Sequence, residues 1–169
     1  AGDRRFSASV VINAGGAWVD EVARIAGVAP IGIEPCRRSA MVFDPPDGVD
    51  SGDWPCVIGI AEDFYFKPEA GLLLGSPANA DPVPPQDVLP EEIDIATAID
   101  RIEAATTLRI RRPRRTWAGL RSFVASGEIV AQRDDANPRF IWAAALGGYG
   151  IQTSPAVGER CARIVDSIA

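Results

Sequence analysis

A short apolar run, a glycine turn and an amphipathic segment follow one another near both ends of the chain. Residues 9–13, Ser-Val-Val-Ile-Asn, precede the turn Ala14-Gly15-Gly16-Ala17, and residues 140–144 precede a turn with three glycines in four residues, 147–150. Strand–turn–helix units are typical of α/β layers that bind a nucleotide or cofactor at the turn. Taken alone, a purely structural turn explains the first unit equally well.

Three helices are predicted from apolar side chains that recur every three or four residues. The apolar face of the first consists of Trp18, Val22, Ile25 and Ala26, and Gly27 ends that helix. The second opens at Glu91 and Glu92 and is apolar at Ile95, Ala98, Ile99, Ile102 and Ala105. The third is expected to run from a Ser154 cap to Ile168, with Pro155 in its first turn.

About eight or nine strands are predicted, most of them antiparallel and in the middle of the chain. Residues 64–68 and 72–76 form a hairpin connected by Glu69-Ala70-Gly71, and residues 120–124 pair with 129–132 around Ser126-Gly127. A further strand is expected at residues 56–60. The predicted fold class is α+β, with an antiparallel sheet, one covering helix, and strand–turn–helix pieces of a second layer at both ends.

Composition excludes several function classes. The net charge of −6 and pI near 4.7 argue against non-specific nucleic-acid binding. The 169 residues include no histidine, which excludes Ser-His-Asp, Cys-His and His-metal chemistry unless another chain supplies the imidazole. Three widely spaced cysteines indicate reduced thiols and no metal site, and no apolar run approaches the roughly 18 residues of a membrane span. We therefore expect a cytoplasmic protein without a membrane span.

Three side chains are candidates for a binding site on local grounds. Arg121 stands among aromatic and apolar residues, where a guanidinium needs an anion, and a planar carboxylate held bidentately suits it best. Alternation places Arg37 and Arg38 on opposite faces of a strand, so that one of them could face a pocket, although a solvated edge is the common outcome. Tyr65 lies opposite Phe64 and Phe66, and simple core packing with a surface hydroxyl explains it as well.

Six segments together resemble the C-terminal half of the D-amino-acid-oxidase-like FAD-dependent oxidoreductases. They are VINAGGAW (11–18), RRSA (37–40), FYFKP (64–68), LLGSPANADP (73–82), TWAGLRSF (116–123) and GGYGIQT (147–153). They occur in the family's order and cover almost the whole chain. Within the family they are most similar to the bacterial D-arginine dehydrogenases. The resemblance implies a flavin enzyme that oxidises D-amino acids to imino acids, which hydrolyse to 2-oxo acids.

The resemblance also implies roles for particular residues. The implied substrate-binding residues are Arg121, Arg38, Tyr65, Gly119, Cys56, Ile58 and Gln152. The implied FAD-binding residues are Ala14, Gly15, Trp18, Gly148, Tyr149, Gly150, Ile151, Gln152 and Thr153. Arg121 would hold the substrate carboxylate, supported by Arg38 and Tyr65. No catalytic side chain and no metal are implied, because the flavin performs the hydride chemistry.

The implied organisation has three parts. Residues 1–30 and 146–169 belong to a Rossmann-like FAD-binding layer, and residues 31–145 to the substrate-binding domain. The Gly-x-Gly-x-x-Gly fingerprint that holds the FAD pyrophosphate is absent from the sequence. We therefore expect a piece of a longer protein, inactive and weakly or not at all flavin-bound by itself, whose partner is the N-terminal half of the same enzyme.

Two other functions remain open. A sister enzyme could oxidise glycine or a secondary amine such as sarcosine or proline. Alternatively, the chain could be a stand-alone binding module without flavin chemistry. The sequence leaves the substrate side chain, the electron acceptor and the oligomeric state undetermined.

Overall fold

The computed structural model describes residues 5–168, which form two compact units. The first contains the described parts of Ala1–Pro35 and Arg121–Ala169, and the second is Cys36–Leu120. Elements of the first unit are β1 (Val11–Asn13), α1 (Val19–Ile25), β8 (Val130–Arg133), β9 (Phe140–Ala144) and α3 (Gly150–Asp166). Elements of the second are β3 (Val57–Ile58), β4 (Tyr65–Glu69), β5 (Leu72–Ser76), β6 (Asp81–Pro82) and α2 (Glu92–Ala105). The unit boundaries fall within β2 (Glu34–Phe43) and β7 (Arg115–Phe123).

The first unit is built on a three-stranded sheet in the order β1-β9-β8. Strand β1 runs parallel to β9, with Val11 opposite Phe140 and Asn13 opposite Trp142, and β8 runs antiparallel to β9. Phe140 and Trp142 are buried, and their rings meet edge to face at 5.0 Å between centroids. This aromatic pair belongs to the core against which α1 packs.

Helix α1 ends at the predicted glycine but buries a different face from the one predicted. Gly27 has φ +70°, its N–H donates to Arg24 and the N–H of Val28 donates to Ala23, which is a Schellman motif. The buried apolar side chains are Val19 and Ala23, which pack on the aromatic core.

The predicted core face of α1 is therefore wrong. Its members Trp18, Val22, Ile25 and Ala26 are all exposed, Ile25 by 88%. The small side chain of Ala23 allows the helix to approach Phe140 and Trp142 closely, and this leaves the bulkier apolar residues outside.

Helix α3 begins four residues earlier than predicted. It starts at Gly150, so Ser154 is not its cap and Pro155 lies inside it. A proline lacks the N–H that would donate to the carbonyl four residues earlier. The hydroxyl of Ser154 compensates by donating to that carbonyl, on Ile151, at 2.9 Å. The helix therefore tolerates Pro155 and starts directly at the glycine turn.

The second unit contains the larger sheet, in the order β3-β4-β5-β2-β6, with β7 also paired to β2. The β4–β5 hairpin is confirmed, and its two turn residues, Ala70 and Gly71, both have positive φ, as a type I′ turn requires. Helix α2 covers one face, and Ala98, Ile102, Ile95 and Ile99 of its predicted apolar face pack into the core, whereas Ala105 in its last turn is exposed. The coarse expectation of mixed α and β structure with an antiparallel sheet and a covering helix is thus confirmed.

Two strand predictions differ from the structure. Residues 120–124 and 129–132 were expected to pair with each other, but β7 pairs with β2 and β8 pairs with β9. The turn between them exists, because Gly127 has φ +74° and donates to Val124. However, β8 instead extends the sheet of β1 and β9, where Val130 lies opposite Ala144 and Ala131 opposite Ala143. The strand expected at residues 56–60 shortens to Val57–Ile58.

The compact units do not follow the functional division predicted from the sequence. Residues 31–35 and 121–145 lie with the first unit, because β8 and β9 complete the sheet that contains β1. The functional assignment of residues 31–145 to substrate binding remains a prediction. Within residues 5–168, no helix has the length and apolarity needed to cross a bilayer.

A buried carboxylate that the sequence did not single out fixes the chain between α1 and β2. Asp20 is 7% exposed and accepts hydrogen bonds from the backbone N–H groups of Ile31, Gly32 and Ile33 at 2.9–3.1 Å. Three charge-assisted bonds compensate for the burial of the carboxylate. The path of the chain into β2 is therefore set by one side chain.

Candidate functional site

The sheet of the second unit has one face toward α2 and one face away from it. Met41 pairs with Gly75, Gly75 with Phe66, and Phe66 with Val57, and this row packs into the core beneath α2. Because successive residues of a strand point to opposite faces, Tyr65 and its partner Ile58 lie on the face away from α2.

Arg38 lies on the same face as Tyr65 and Ile58. Its neighbours in β2, Arg37 and Ser39, both bond to Asp94 of α2, so the side chain between them points away from the helix. The predicted alternation of Tyr65 with Phe64 and Phe66 is also confirmed, since both phenylalanines are buried and Tyr65 is half-buried. The structure thus brings three predicted substrate-binding residues to one face of one sheet.

The side chain of Arg37 lies on the opposite face of the sheet, toward α2. It forms ion pairs with Asp94 at 3.1 Å, with Asp81 at 3.3 Å and with Glu91. Burial by itself lowers the pKa of Arg37, but the charges of these three carboxylates outweigh burial and raise the pKa above its ordinary value. Arg37 therefore stays charged and anchors β2 to the start of α2, whereas Arg38 lies on the face that carries Tyr65 and Ile58.

The remaining predicted substrate-binding residues of the second unit are accessible. Cys56 is exposed just before β3, and Ile58 is 61% exposed. Gly119 is exposed in β7, and a Cβ atom there would meet nothing within 4 Å. Open space at Gly119 is compatible with a ligand near its backbone. A cavity of about 440 Å³ lies elsewhere in this unit, between residues 43–47 and 107–112, and includes none of the predicted site residues.

In the first unit, the side chain of Arg121 lies directly against the glycine turn. A Cβ atom added to Gly148 would be 2.7 Å from Nη1 and 3.0 Å from Cζ of Arg121. The neighbouring Gly147 is required as well, because its φ is +53° and a Cβ atom there would be 2.8 Å from the ring of Phe123. Its N–H donates to Ser122 at 3.0 Å, which ties the turn to β7.

Both predicted cofactor turns of the first unit emerge at the same edge of its sheet. Strands β1 and β9 are parallel and in register, so the chain leaves both carboxyl ends side by side. Ala14 and Gly15 follow β1, and the 147–150 turn follows β9. The buried Asn13 shapes the first turn, because its amide donates to Val19 at 2.8 Å and its oxygen accepts from Gly15 at 3.2 Å. Ligands of α/β sheets bind at such carboxyl ends.

The start of α3 presents unpaired backbone donors at this edge. By helix geometry the N–H groups of Gly150, Ile151 and Gln152 have no intrahelical acceptor, and no acidic side chain occupies the first turn. Tyr149 and Ile151 are 61% and 96% exposed. Thr153 is the exception among the predicted residues, since its hydroxyl already donates to Tyr149 at 2.7 Å. Exposed apolar surface beside free N–H groups fits a flavin, whose ring is apolar on its faces and accepts hydrogen bonds at its edge.

Over the described part of the chain, no group of three or more Cys, Asp or Glu side chains is placed to hold an ion. Cys36, Cys56 and Cys161 are all thiols.

Comparison with known proteins agrees with this architecture. Residues 1–164 match the family model described as FAD dependent oxidoreductase. Two similar curated proteins are both called FAD-dependent oxidoreductase domain-containing protein 1. The chain is 27% identical to the protein from Xenopus laevis and 26% identical to that from Bos taurus. Each match covers 93% of this chain but only 34% and 35% of those proteins, so the chain spans about a third of their length.

Solved structures share the fold. L-proline dehydrogenase from P. horikoshii superposes with a TM-score of 0.73 and 25% identity, over 92% of this chain and 42% of that one. Glycine oxidase from Geobacillus kaustophilus superposes with a TM-score of 0.77 and 19% identity, over 96% and 42%. With its family match over nearly the whole length, this chain belongs to the FAD dependent oxidoreductase family.

Proposed function

We propose that this chain forms the substrate-binding part, and the last flavin-contacting elements, of an enzyme that oxidises D-amino acids. The contact of Arg121 with Gly148 carries the proposal. It fixes a guanidinium, the best side chain for a planar carboxylate, at the turn that suits a flavin. A carboxylate held there would have its α-carbon close to the oxidant.

Each proposed substrate contact orients one part of the amino acid. Arg121 binds both oxygens of the carboxylate, and Arg38 and Tyr65 donate further hydrogen bonds to these oxygens. The backbone carbonyl of Gly119 accepts from the amine, while Cys56 and Ile58 line the side-chain pocket. When bound, FAD supplies the two-electron acceptor for the α-hydrogen. The contribution of the chain is positioning, because well-oriented reactants lower a barrier by several kcal/mol (about 7–11 at best). The imino acid then hydrolyses to a 2-oxo acid and ammonia.

The proposed FAD contacts are the residues of the two adjoining turns. Ala14, Gly15 and Trp18 pack on the cofactor from one turn. Gly148 to Gln152 bind it from the other, chiefly through backbone N–H groups, and Gln152 also faces the substrate. Thr153 would contact the cofactor without donating to it, because its hydroxyl and its N–H both donate to the carbonyl of Tyr149. The positive end of α3 would favour negative charge on a flavin bound there.

The first unit is proposed to be part of a Rossmann-like layer completed by the N-terminal half of the same enzyme. Strand β1 borders its three-stranded sheet, and its apolar Val11 and Ile12 are 51% and 46% exposed. The curated relative from Xenopus laevis is about three times as long as the part of it that this chain matches. That half would contribute the fingerprint for the pyrophosphate of FAD, without which the cofactor would bind weakly.

A second candidate is oxidation of glycine or a secondary amine. It is favoured by the solved structures with this fold, which include a glycine oxidase, an L-proline dehydrogenase and an iminodiacetate oxidase. All three names denote substrates that retain a carboxylate. The Arg121 site serves either candidate, and only the amine and side-chain contacts would differ.

The substrate class can be decided by anaerobic titration of the full-length protein, followed by the visible absorbance of its flavin. D-arginine and D-alanine would be compared with their L-enantiomers, glycine, sarcosine and L-proline. We expect the D-amino acids to bleach the flavin and the L-enantiomers to leave it oxidised. Bleaching by glycine, sarcosine or proline alone would establish the second candidate instead. A purified full-length protein without flavin absorbance would support the stand-alone binding module.

A further inference from the structure

A network of hydrogen bonds links a buried carboxylate under the sheet to Arg38 on its other face. Asp94, in the first turn of α2, is 9% exposed. One oxygen, Oδ2, accepts from Arg37 Nε at 3.1 Å, from Ser39 Oγ at 2.6 Å and from Asn79 Nδ2 at 3.1 Å. Three donors on one carboxylate oxygen fix all three side chains relative to the helix.

Asn79 is the member of this network that reaches Arg38. Its Nδ2 donates to Asp94 and to Asp81, the latter at 2.7 Å, and its Oδ1 accepts from the N–H of Ser39 at 2.9 Å. With its amide held at both ends, its backbone carbonyl accepts a hydrogen bond from Nε of Arg38. The Arg38 guanidinium thus donates to a carbonyl that the network holds in place.

The loop that contains Asn79 is fixed at a second point. Ser76, fully buried, donates from Oγ to the carbonyl of Ser39 at 2.7 Å and accepts from the N–H of Ala78 at 3.1 Å. Ala78 has φ +52°, a conformation that costs free energy for a side chain other than glycine. The loop is thus hydrogen-bonded on both sides of this residue, and such fixation is what a positioning element requires.

We propose that Asn79, held by Asp94 and Asp81, is a positioning residue that aims Arg38 at the substrate carboxylate. The proposal rests on the proposed function, in which Arg38 contacts that carboxylate. Asn79 itself touches no substrate. Its effect on catalysis therefore acts entirely through Arg38.

A double-mutant cycle in the full-length enzyme tests this role, using the amino acid that bleaches the flavin most effectively. We expect Asn79→Ala to raise KM about tenfold, the scale of one charge-assisted hydrogen bond, with kcat within about twofold of the wild type. In the Arg38→Ala background the same change should leave KM unaltered. If Asn79 had a merely structural role, Asn79→Ala would lower the thermal midpoint and raise KM both in the wild type and in the Arg38→Ala background. That result would overturn the proposal.

Further variants separate the possible failures. Arg38→Ala without any effect on KM would refute the role of Arg38 and, with it, the role of Asn79. Arg38→Ala with a raised KM, but Asn79→Ala without one, would refute the positioning role alone. If Asn79→Ala does not fold, Asp81→Ala replaces it, with an expected rise of about threefold that again disappears in the Arg38→Ala background. Asp100→Ala, an exposed acid on α2 outside the network, is the matched control and should change nothing.

Discussion

At the scale of single residues, the glycines of the 147–150 turn have two distinct functions. Gly147 needs a positive φ and lies against Phe123, so glycine is required there by both conformation and space. Gly148 has an ordinary backbone, and its missing side chain makes room for the Arg121 guanidinium. The sequence identified the turn and the arginine separately. The contact of Arg121 with Gly148 could not be predicted, because it depends on how the end of β7 and the turn after β9 come together in the fold.

Gly148→Ala is expected to move Arg121 without unfolding the protein. The added methyl group would lie 2.7 Å from Nη1, which is the far end of a flexible side chain and can shift at little cost in stability. We expect kcat/KM of the full-length enzyme to fall about tenfold or more, equivalent to ~1.4 kcal/mol, with little change in thermal midpoint.

The matched control for this substitution is Gly158→Ala in α3. Its Cβ atom would meet nothing within 4 Å, and an alanine within a helix stabilises by about 0.5–1 kcal/mol. Activity of this variant should equal that of the wild type. Unchanged kcat/KM in Gly148→Ala would show that the position of Arg121 does not matter for turnover.

At the scale of elements, prediction succeeded where a local pattern alone decides the structure. The spacing of α2 and the Ala70-Gly71 turn define their elements without long-range information, and both are confirmed. Prediction was wrong where tertiary partners decide. The core face of α1 depends on how closely Ala23 can approach the aromatic pair, and the pairing of β7 and β8 depends on which edge each one meets. The early start of α3 depends on the compensating bond of Ser154.

The packing of α2 on the sheet can be tested with two isoleucines of the same helix. Ile102 is fully buried against Phe43 and Gly75, whereas Ile93 is 66% exposed. We expect Ile102→Ala to lower the free energy of unfolding by about 2–5 kcal/mol, through lost burial and the cavity it leaves. Ile93→Ala should cost below about 0.5 kcal/mol in urea denaturation. Equal losses in the two variants would contradict the assignment of the core face.

At the scale of the whole molecule, the family followed from the sequence, while its substrate did not. The motifs at 116–123 and 147–153 indicated a flavin oxidoreductase, and the family match over residues 1–164 confirms this. Substrate preference depends on a few pocket contacts, and the chain spans about a third of the curated relatives it matches. The network around Asn79 was also missed. Asn79 and Asp81 lie in the segment 73–82 that the sequence singled out, but their link to Asp94 in α2 requires the fold.

The central claim is that Arg121 binds the substrate carboxylate, and carboxylate discrimination tests it most directly. In the full-length enzyme, kcat/KM for the best amino acid would be compared with that for its primary amide, in the wild type, Arg121→Ala and the exposed-arginine control Arg133→Ala. We expect the wild type and Arg133→Ala to prefer the acid by about 100-fold or more, and Arg121→Ala to lose most of that preference. An acid-to-amide ratio that survives in Arg121→Ala would contradict the account.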